Sequence, residues 1–282
     1  MSMVVGSRRN TWIRAGLIYA TLIALAFVFL LPLLWVLGLS LKTRPQVFSD
    51  PPLFLWWPTL ENYYDVLTRA DFLKAFVNTL IVSACAVGLS LGVGVPAAYA
   101  FARFPFKGSA LLFFALLVMR MLPPIAVLVP MYVLFSKIGL TTTHLSVVLA
   151  YSTFALPLVV WVMRGFFEDL PAELEESAWI DGASRFTAFW LVVLPLARPG
   201  MVAASILCLQ LAWNDFLFAA VLTNNATQTL PVLMAGFSGG DSGVDWGGMT
   251  ASGMLVILPV VLFSFAAQRH LVTGLSTGAV KG

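Results

Sequence analysis

Six apolar runs, each long enough to cross a lipid bilayer, limit what this chain can fold into. They lie near residues 17–41, 77–100, 111–135, 145–166, 201–222 and 248–268. At 1.5 Å of rise per residue, a helix of about 20 residues spans roughly 30 Å of hydrocarbon. Inside lipid every backbone amide and carbonyl must find an internal partner, so runs of this length are expected to be helices. With 60% hydrophobic and 10% charged residues, the chain holds more apolar surface than a water-soluble domain can hide. The expected fold class is an all-α polytopic membrane protein, with residues 1–16 as a short N-terminal segment and 17–282 as a single transmembrane domain. Ser7, Arg8 and Arg9 superficially suggest a twin-arginine signal. The apolar run behind them is too long for a signal core and ends in no small-residue cleavage site, so the first helix is expected to be retained.

Polar and helix-breaking residues inside the runs are the first functional clues. Pro123, Pro124 and Pro130 interrupt the third run, which lipid tolerates only where the freed backbone faces protein or a wet cavity. Arg120, just before them, is costly at mid-depth and is a functional-site candidate. Gln210, Asn214 and Asp215 sit together in the fifth run, and Asp215 is the natural partner for Arg120 once the helices bundle. An ion pair that locks packing is the favoured reading of those two, ahead of direct contact with a hydroxyl-rich substrate. Gly88 and Gly92 in the second run form a small-residue face suited to close helix packing. Cys85 and Cys208 lie in apolar runs without metal-ligand spacing and read as small buried hydrophobes. His144 and His270 are isolated and receive no role.

Lys and Arg set the expected orientation. Of the sixteen, ten fall in segments on the side of the N-terminus, five (Lys42, Arg44, Arg69, Lys74 and Lys137) on the other, and Arg120 lies within a run. That split places both termini in the cytoplasm. No Lys/Arg-rich run suggests nucleic acid.

Between the fourth and fifth runs lies a polar island holding six of the thirteen acids: Glu168, Asp169, Glu173, Glu175, Glu176 and Asp181. Pro171 suits the first turn of a helix, and acids behind it favour the positive helix end. Leu170, Leu174 and Ala178 recur every four residues and are expected to form one apolar stripe. Ser177 and Ala178 are small enough for close approach by a partner. Asp181 and Gly182 supply a stop, with Gly182 able to take the left-handed cap conformation. Ser184 can cap a second amphipathic segment that Pro195 and Pro199 punctuate. The residues alone fit a partner-docking hairpin and a merely connecting hairpin equally well.

Glu176-Ser-Ala, Asp181-Gly-Ala-Ser and Leu194-Pro-Leu with Pro199 together resemble the EAA loop of ABC-importer permeases. Trp213–Phe218, Thr229–Val232, Asp245-Trp-Gly and the terminal Gly274–Gly282 are similar to the MalG-like branch of carbohydrate importers, so the resemblance covers essentially the whole chain. Ser177 stands where that loop usually has Ala, and Asp215 where the branch more often has Glu. The resemblance implies an ABC-importer permease fold of six transmembrane helices with a cytoplasmic coupling helix, the coupling loop covering 168–200. Glu173, Glu176, Ser177, Ala178, Asp181, Gly182, Arg185 and Pro195 would meet an ATPase subunit. The outer loop 223–247 would reach an extracytoplasmic sugar-binding protein through Gly236, Gly239, Gly240, Asp245 and Trp246. Further implied partners are a second homologous permease, two ATPase subunits that hold ATP and Mg, membrane lipid and a sugar or polyol. Localisation would be the bacterial plasma membrane, with no cofactor in this chain.

Three function classes compete on the sequence. A permease subunit powered elsewhere fits the island. A secondary carrier wants ion-coupling residues at midplane, ideally in two repeated halves, and none is apparent. An embedded enzyme wants paired carboxylates, a metal constellation or a nucleophile with its base, and none stands out. No Lys follows a Gly anywhere, so the Gly-Lys-Ser/Thr of a phosphate-binding loop is absent. The expected function is alternating-access import of a sugar or sugar alcohol, with glycerol-phosphate diesters as the alternative substrate within the same family and a secondary carrier the weaker choice.

Overall fold

The computed structural model describes residues 8–104, 106–238 and 244–278, with side chains over 14–104, 106–237 and 244–265. Among the described residues there are helices and no strands. Helix α1 covers Arg8–Ser40, α2 Ala70–Arg103, α3 Ser109–Met121, α4 Pro124–Lys137 and α5 His144–Asp169. Then follow α6 Glu173–Ile180, α7 Arg198–Asn214, α8 Leu217–Leu222, α9 Leu230–Ala235 and α10 Trp246–Gly278. Arg14–Ser40, α2, α5 and Trp246–Phe265 are each long and apolar enough to cross a membrane. Two bent pairs pass the same test jointly, α3 with α4 (98°) and Arg185–Leu196 with α7 (72°), so the described chain has four such helices or up to six spans.

The run expected at 111–135 is therefore two helices. Leu122, which precedes a proline, takes an extended conformation (φ −63°, ψ 133°), because the next proline ring disfavours the helical region there. Pro124 then opens α4 at a position where its missing N–H costs little, and Pro130 is absorbed inside the helix. The run expected at 201–222 is likewise divided. Helix α7 stops at Asn214, Asp215 is extended (φ −72°, ψ 125°), and the chain resumes as α8.

The chain divides into two compact units, Met1–Thr68 with Phe237–Leu255, and Arg69–Gly236 with Val256–Gly282. In the first, the end of α1 is tied down by polar contacts. Asn62 donates to the carbonyls of Ser40 (2.9 Å) and Lys42 (2.8 Å). Lys42 Nζ donates to Leu53 O (2.8 Å) and stands 4.3 Å from the centre of the Trp56 ring.

In the second unit α2 and α5 lie along each other with α7 against both. The buried residues of α2 include Thr79, Val82, Ser83, Ala86, Ser90, Gly94 and Ala98, one stripe at helical spacing. The close approach falls at Gly94, where an added Cβ would stand 2.8 Å from Val159 Cγ1. Gly88 and Gly92, expected to make it, have nothing within 4 Å and face outward. One apolar cluster gathers Tyr99, Leu158, Met163, Phe167 and Phe189 near one end of α2 and α5. A second gathers Val82, Ala86, Leu128, Val147, Phe218 and Leu222 near the other.

Replacing Gly94 with leucine is expected to split the α2–α5 seam, since an added Cβ meets the branched Val159 side chain and, at 3.6 Å, the carbonyl of Leu156, and overpacking typically costs about 1–3 kcal/mol. A fall of several degrees in the detergent melting temperature for Gly94→Leu, with Gly88→Leu close to wild type, is the expected result. The reverse order would place the seam on the other face.

Candidate functional site

The polar island builds its geometry from helix ends. At 34 residues, α2 is about 50 Å long, well beyond the roughly 30 Å of hydrocarbon. Its last turn, with Tyr99 and Arg103, meets the end of α5 and the short helix α6. Ala172 caps α6, its carbonyl accepting from the amides of Glu175 (2.9 Å) and Glu176 (3.1 Å). Glu173, Glu175 and Glu176 occupy the first turn, where the helix dipole favours acids. At the other end, Gly182 N–H donates to Trp179 O (3.0 Å) and Ala183 N–H to Ala178 O (2.9 Å), with Gly182 at φ +88°. That is the left-handed stop expected of this glycine.

The expected apolar stripe does not hold α6 in place. Leu174 is exposed, Leu170 and Ala178 are half-buried, and the residue of α6 that turns inward is Glu175, 4% exposed. Tyr99 OH donates to its Oε2 (2.6 Å) and Arg103 Nε to its Oε1 (2.7 Å). Arg103 Nη2 also donates to the carbonyl of Leu170 (2.7 Å), at the end of α5. Tyr99 and Arg103 are four apart, a polar pair on one helix face at the end of an apolar run. That spacing puts both groups within reach of one partner, but it does not name the partner.

The outward side of α6 carries Glu173, Glu176, Ser177, Asp181, Trp179 and Ile180, the last 87% exposed. Ser177 Oγ donates back to Glu173 O (2.7 Å). The Arg185 guanidinium stands 5.5 Å from the Phe104 ring and 5.6 Å from the Trp179 ring. Ser184 Oγ accepts from Thr187 N–H (3.1 Å), capping the next segment as its position suggested. That segment winds into a π-helical stretch, Phe189–Val193, directly before Pro195.

A second feature lies where both bent spans break. A cavity of 220 Å³ is lined by Arg120 and Pro124 from the first break and by Asp215 and Phe218 from the second. Tyr151, Phe154, Ala155 and Cys208 complete most of its wall. Arg120 and Asp215 thus border one space, but they do not form the expected ion pair. Asp215 Oδ1 accepts instead from the amides of Phe218 (3.0 Å) and Ala219 (3.4 Å), capping α8. Tyr151 OH donates to the Asp215 carbonyl (3.3 Å), so part of the freed backbone at the break is met from within the protein. Arg120 is exposed in the last turn of α3, the end that favours a cation. Gln210 and Asn214 are exposed and outside the cavity lining, with Asn214 Nδ2 donating to Gln210 O (2.8 Å).

The segment expected as an open outer loop is partly helical and anchored. Leu230 N–H donates to Thr79 Oγ1 (2.8 Å), and Asn78 Nδ2 to the carbonyls of Ala226 (3.1 Å) and Gln228 (3.0 Å). His144 Nε2 and Asn78 Oδ1 are 2.9 Å apart, which gives a histidine without an expected role a structural one. Gly236 ends α9 in a right-handed conformation, φ −67°. Gly239 and Gly240 lie outside the described residues. Asp245 Oδ1 accepts from Gly248 N–H (3.0 Å) at the start of α10, and Trp246 is that helix's exposed first residue.

Known proteins share this sequence and fold. Residues 90–277 match the family described as "Binding-protein-dependent transport system inner membrane component". The chain is 38% identical over 281 residues to the trehalose transport system permease protein SugB of Mycobacterium tuberculosis, covering 99% of this chain and 100% of that one. It is 32% identical to the trehalose/maltose transport system permease protein MalG of Thermococcus litoralis, covering 92% and 94%. A solved bacterial ABC transporter involved in import of the acidic polysaccharide alginate has a chain of the same fold (TM-score 0.79, 22% identity, 94% and 99% covered).

Two outcomes test this geometry. Gly182 has open space around it, so Gly182→Val meets only backbone strain, on the order of 1 kcal/mol or more. Gly182→Asn, which tolerates the left-handed region, should keep more transport activity than Gly182→Val. Asp215→Asn keeps a capping group, whereas Asp215→Ala loses it at about 1 kcal/mol. Losses from Asp215→Ala and Arg120→Met should be additive in thermal stability, and recovery in the double variant would restore the ion pair to consideration.

Proposed function

The chain belongs to the binding-protein-dependent transport system inner membrane components, and on that basis we propose how its parts work. It is a permease subunit of an ATP-driven, binding-protein-dependent ABC importer. Its substrate is a sugar or sugar alcohol, in keeping with the trehalose and trehalose/maltose systems of its relatives. It works beside a second permease chain, with two ATPase subunits that bind ATP and Mg and an extracytoplasmic binding protein that delivers substrate.

One observation carries the coupling assignment. Helix α6 turns a glutamate inward and leaves Ile180, Trp179 and Leu174 outward among acids. A helix that merely joins two spans would do the reverse, because exposed apolar area costs about 25 cal/mol per Å². An outward apolar surface rimmed by charge is the composition of a docking surface. We assign it to the ATPase subunit, with Glu173, Glu176, Ser177, Ala178, Asp181 and Gly182 shaping contact, and Arg185 and Pro195 setting the return to the membrane. Arg103, Arg164 and Arg185 are among the ten cations on the side of the N-terminus, and the ten-to-five split favours a cytoplasmic α6 and cytoplasmic termini.

The cavity between the two breaks is the candidate contribution of this chain to the sugar pathway. Its 220 Å³ falls below the roughly 300–1,000 Å³ of enclosed ligand sites, so the second permease is needed to complete a passage. The exposed Gln210 and Asn214 on α7 are assigned to that shared passage. ATP-driven closure of the ATPase pair moves α6, and the spans reorient the passage by rigid-body rotation. Gly236, Gly239, Gly240, Asp245 and Trp246 are assigned to contact with the binding protein.

Cysteines introduced at Ser184 and Asn225, both exposed, test the topology. A membrane-impermeant thiol reagent applied to intact cells should label the Asn225 site and spare the Ser184 site. In liposomes, the chain alone should move no sugar under a proton or sodium gradient. With its permease partner, ATPases and binding protein it should support ATP-dependent uptake. Labelling of the Ser184 site from outside would overturn the coupling assignment, and gradient-driven uptake by the isolated chain would make it a secondary carrier.

A further inference from the structure

We propose that Glu175, Tyr99 and Arg103 form a clamp that makes α6 move with α2 and α5 as one body, turning displacement of the docking helix into displacement of the spans. This rests on the reading of α6 as the ATPase-docking helix, and it assigns roles to three residues outside the docking surface. They are positioning residues, since each is assigned to act through α6.

The geometry is more restrictive than packing alone requires. Glu175 is the buried residue of an eight-residue helix, too short to hold its shape unaided. An apolar side chain there would hold the helix without direction, leaving it free to roll or slide. A carboxylate whose two oxygens are engaged separately does not allow this. Oε2 takes the Tyr99 hydroxyl at 2.6 Å and Oε1 the Arg103 guanidinium at 2.7 Å, from positions one turn apart on α2. A movement of α6 that parts Glu175 from Arg103 leaves two poorly hydrated charges unpaired, and one that parts it from Tyr99 leaves a buried hydroxyl without its acceptor.

Two further contacts extend the clamp. Arg103 Nη2 donates to Leu170 O at 2.7 Å, so one side chain fastens both α6 and the end of α5 to α2. The Tyr99 ring is held by Phe104 and Phe167, each at 5.6 Å between centroids, and by Phe189 at 4.7 Å. Phe167 belongs to α5 and Phe189 to the segment that returns after Gly182. The covalent exits from α6 are weaker routes for force. On one side the chain runs through the non-helical Leu170 and Pro171, and on the other through Gly182, which has nothing within 4 Å of an added Cβ.

The test uses the complete transporter in proteoliposomes, measuring ATPase subunits retained on purification, ATP hydrolysed and sugar moved per ATP. Glu175→Gln should retain the ATPase subunits and hydrolyse ATP, while sugar moved per ATP falls about tenfold or more. Tyr99→Phe removes one hydrogen bond and keeps the ring, so it should fold normally and show a smaller fall of the same kind. With the exposed Cys85 replaced by alanine and the buried Cys208 kept, Arg103→Cys with Glu175→Cys should be uncoupled. A bis-methanethiosulfonate spacer joining the two thiols should restore coupling, and reduction should abolish it again, a reversibility that a purely structural defect does not produce. Wild-type coupling in Glu175→Gln or in the unbridged cysteine pair would overturn the clamp, as would arrest of transport by the bridge. Glu176→Lys, on the outward face, separates the two claims: it should release the ATPase subunits, and full retention would count against the docking assignment alone.

Discussion

A backbone inside lipid has no water to bond with, and the functional features of this chain follow from where that rule is strained. Two spans break. Each break frees amides and carbonyls, and at the α7–α8 break the protein supplies partners for three of these groups. Asp215 Oδ1 accepts from the amides of Phe218 and Ala219, and Tyr151 OH donates to the Asp215 carbonyl. The prolines at 123 and 124 reduce the demand at the α3–α4 break by removing donors at the outset. Both breaks border one cavity, so irregular backbone occurs where side chains or a water-filled space can receive it.

The same balance explains the inverted character of α6. Burying an unpaired carboxylate is expensive, and Glu175 is buried because Tyr99 and Arg103 were already committed to that face of α2. With its inward position taken by an acid, the helix leaves Trp179 and Ile180 outside. Apolar exposure on one face and a directional polar contact on the other suit a helix that receives force from a partner and passes it to the bundle. The cavity, the anchored segment around α9 and the helix pair α2–α5 lie in the same compact unit as α6.

Much of this was legible in the sequence, at the level of elements more than contacts. The apolar runs announced the long helices, the Pro123–Pro124 pair marked a break, and Asp181–Gly182 and Ser184 marked a stop and a start that the backbone adopts. Faces were harder to read. In a uniformly apolar helix the hydrophobic pattern does not distinguish a neighbouring helix from lipid, so Gly88 and Gly92 read as the seam that falls instead at Gly94. Partner choice was harder still. Glu175 finds its partners 76 and 72 residues upstream, a relation that local periodicity does not encode. Asp215 was expected to seek Arg120 because an unpaired charge in a span is costly; two backbone amides at a helix break offered an alternative that only the observed break reveals.

A photoreactive amino acid placed at Ile180 in the assembled transporter tests the docking face of α6 most directly. Capture of an ATPase subunit on illumination is the expected result, with the same residue at Phe29, exposed within α1, capturing none. Failure of Ile180 to capture an ATPase subunit in a transporter that hydrolyses ATP and moves sugar would contradict the assignment of α6 as the coupling helix.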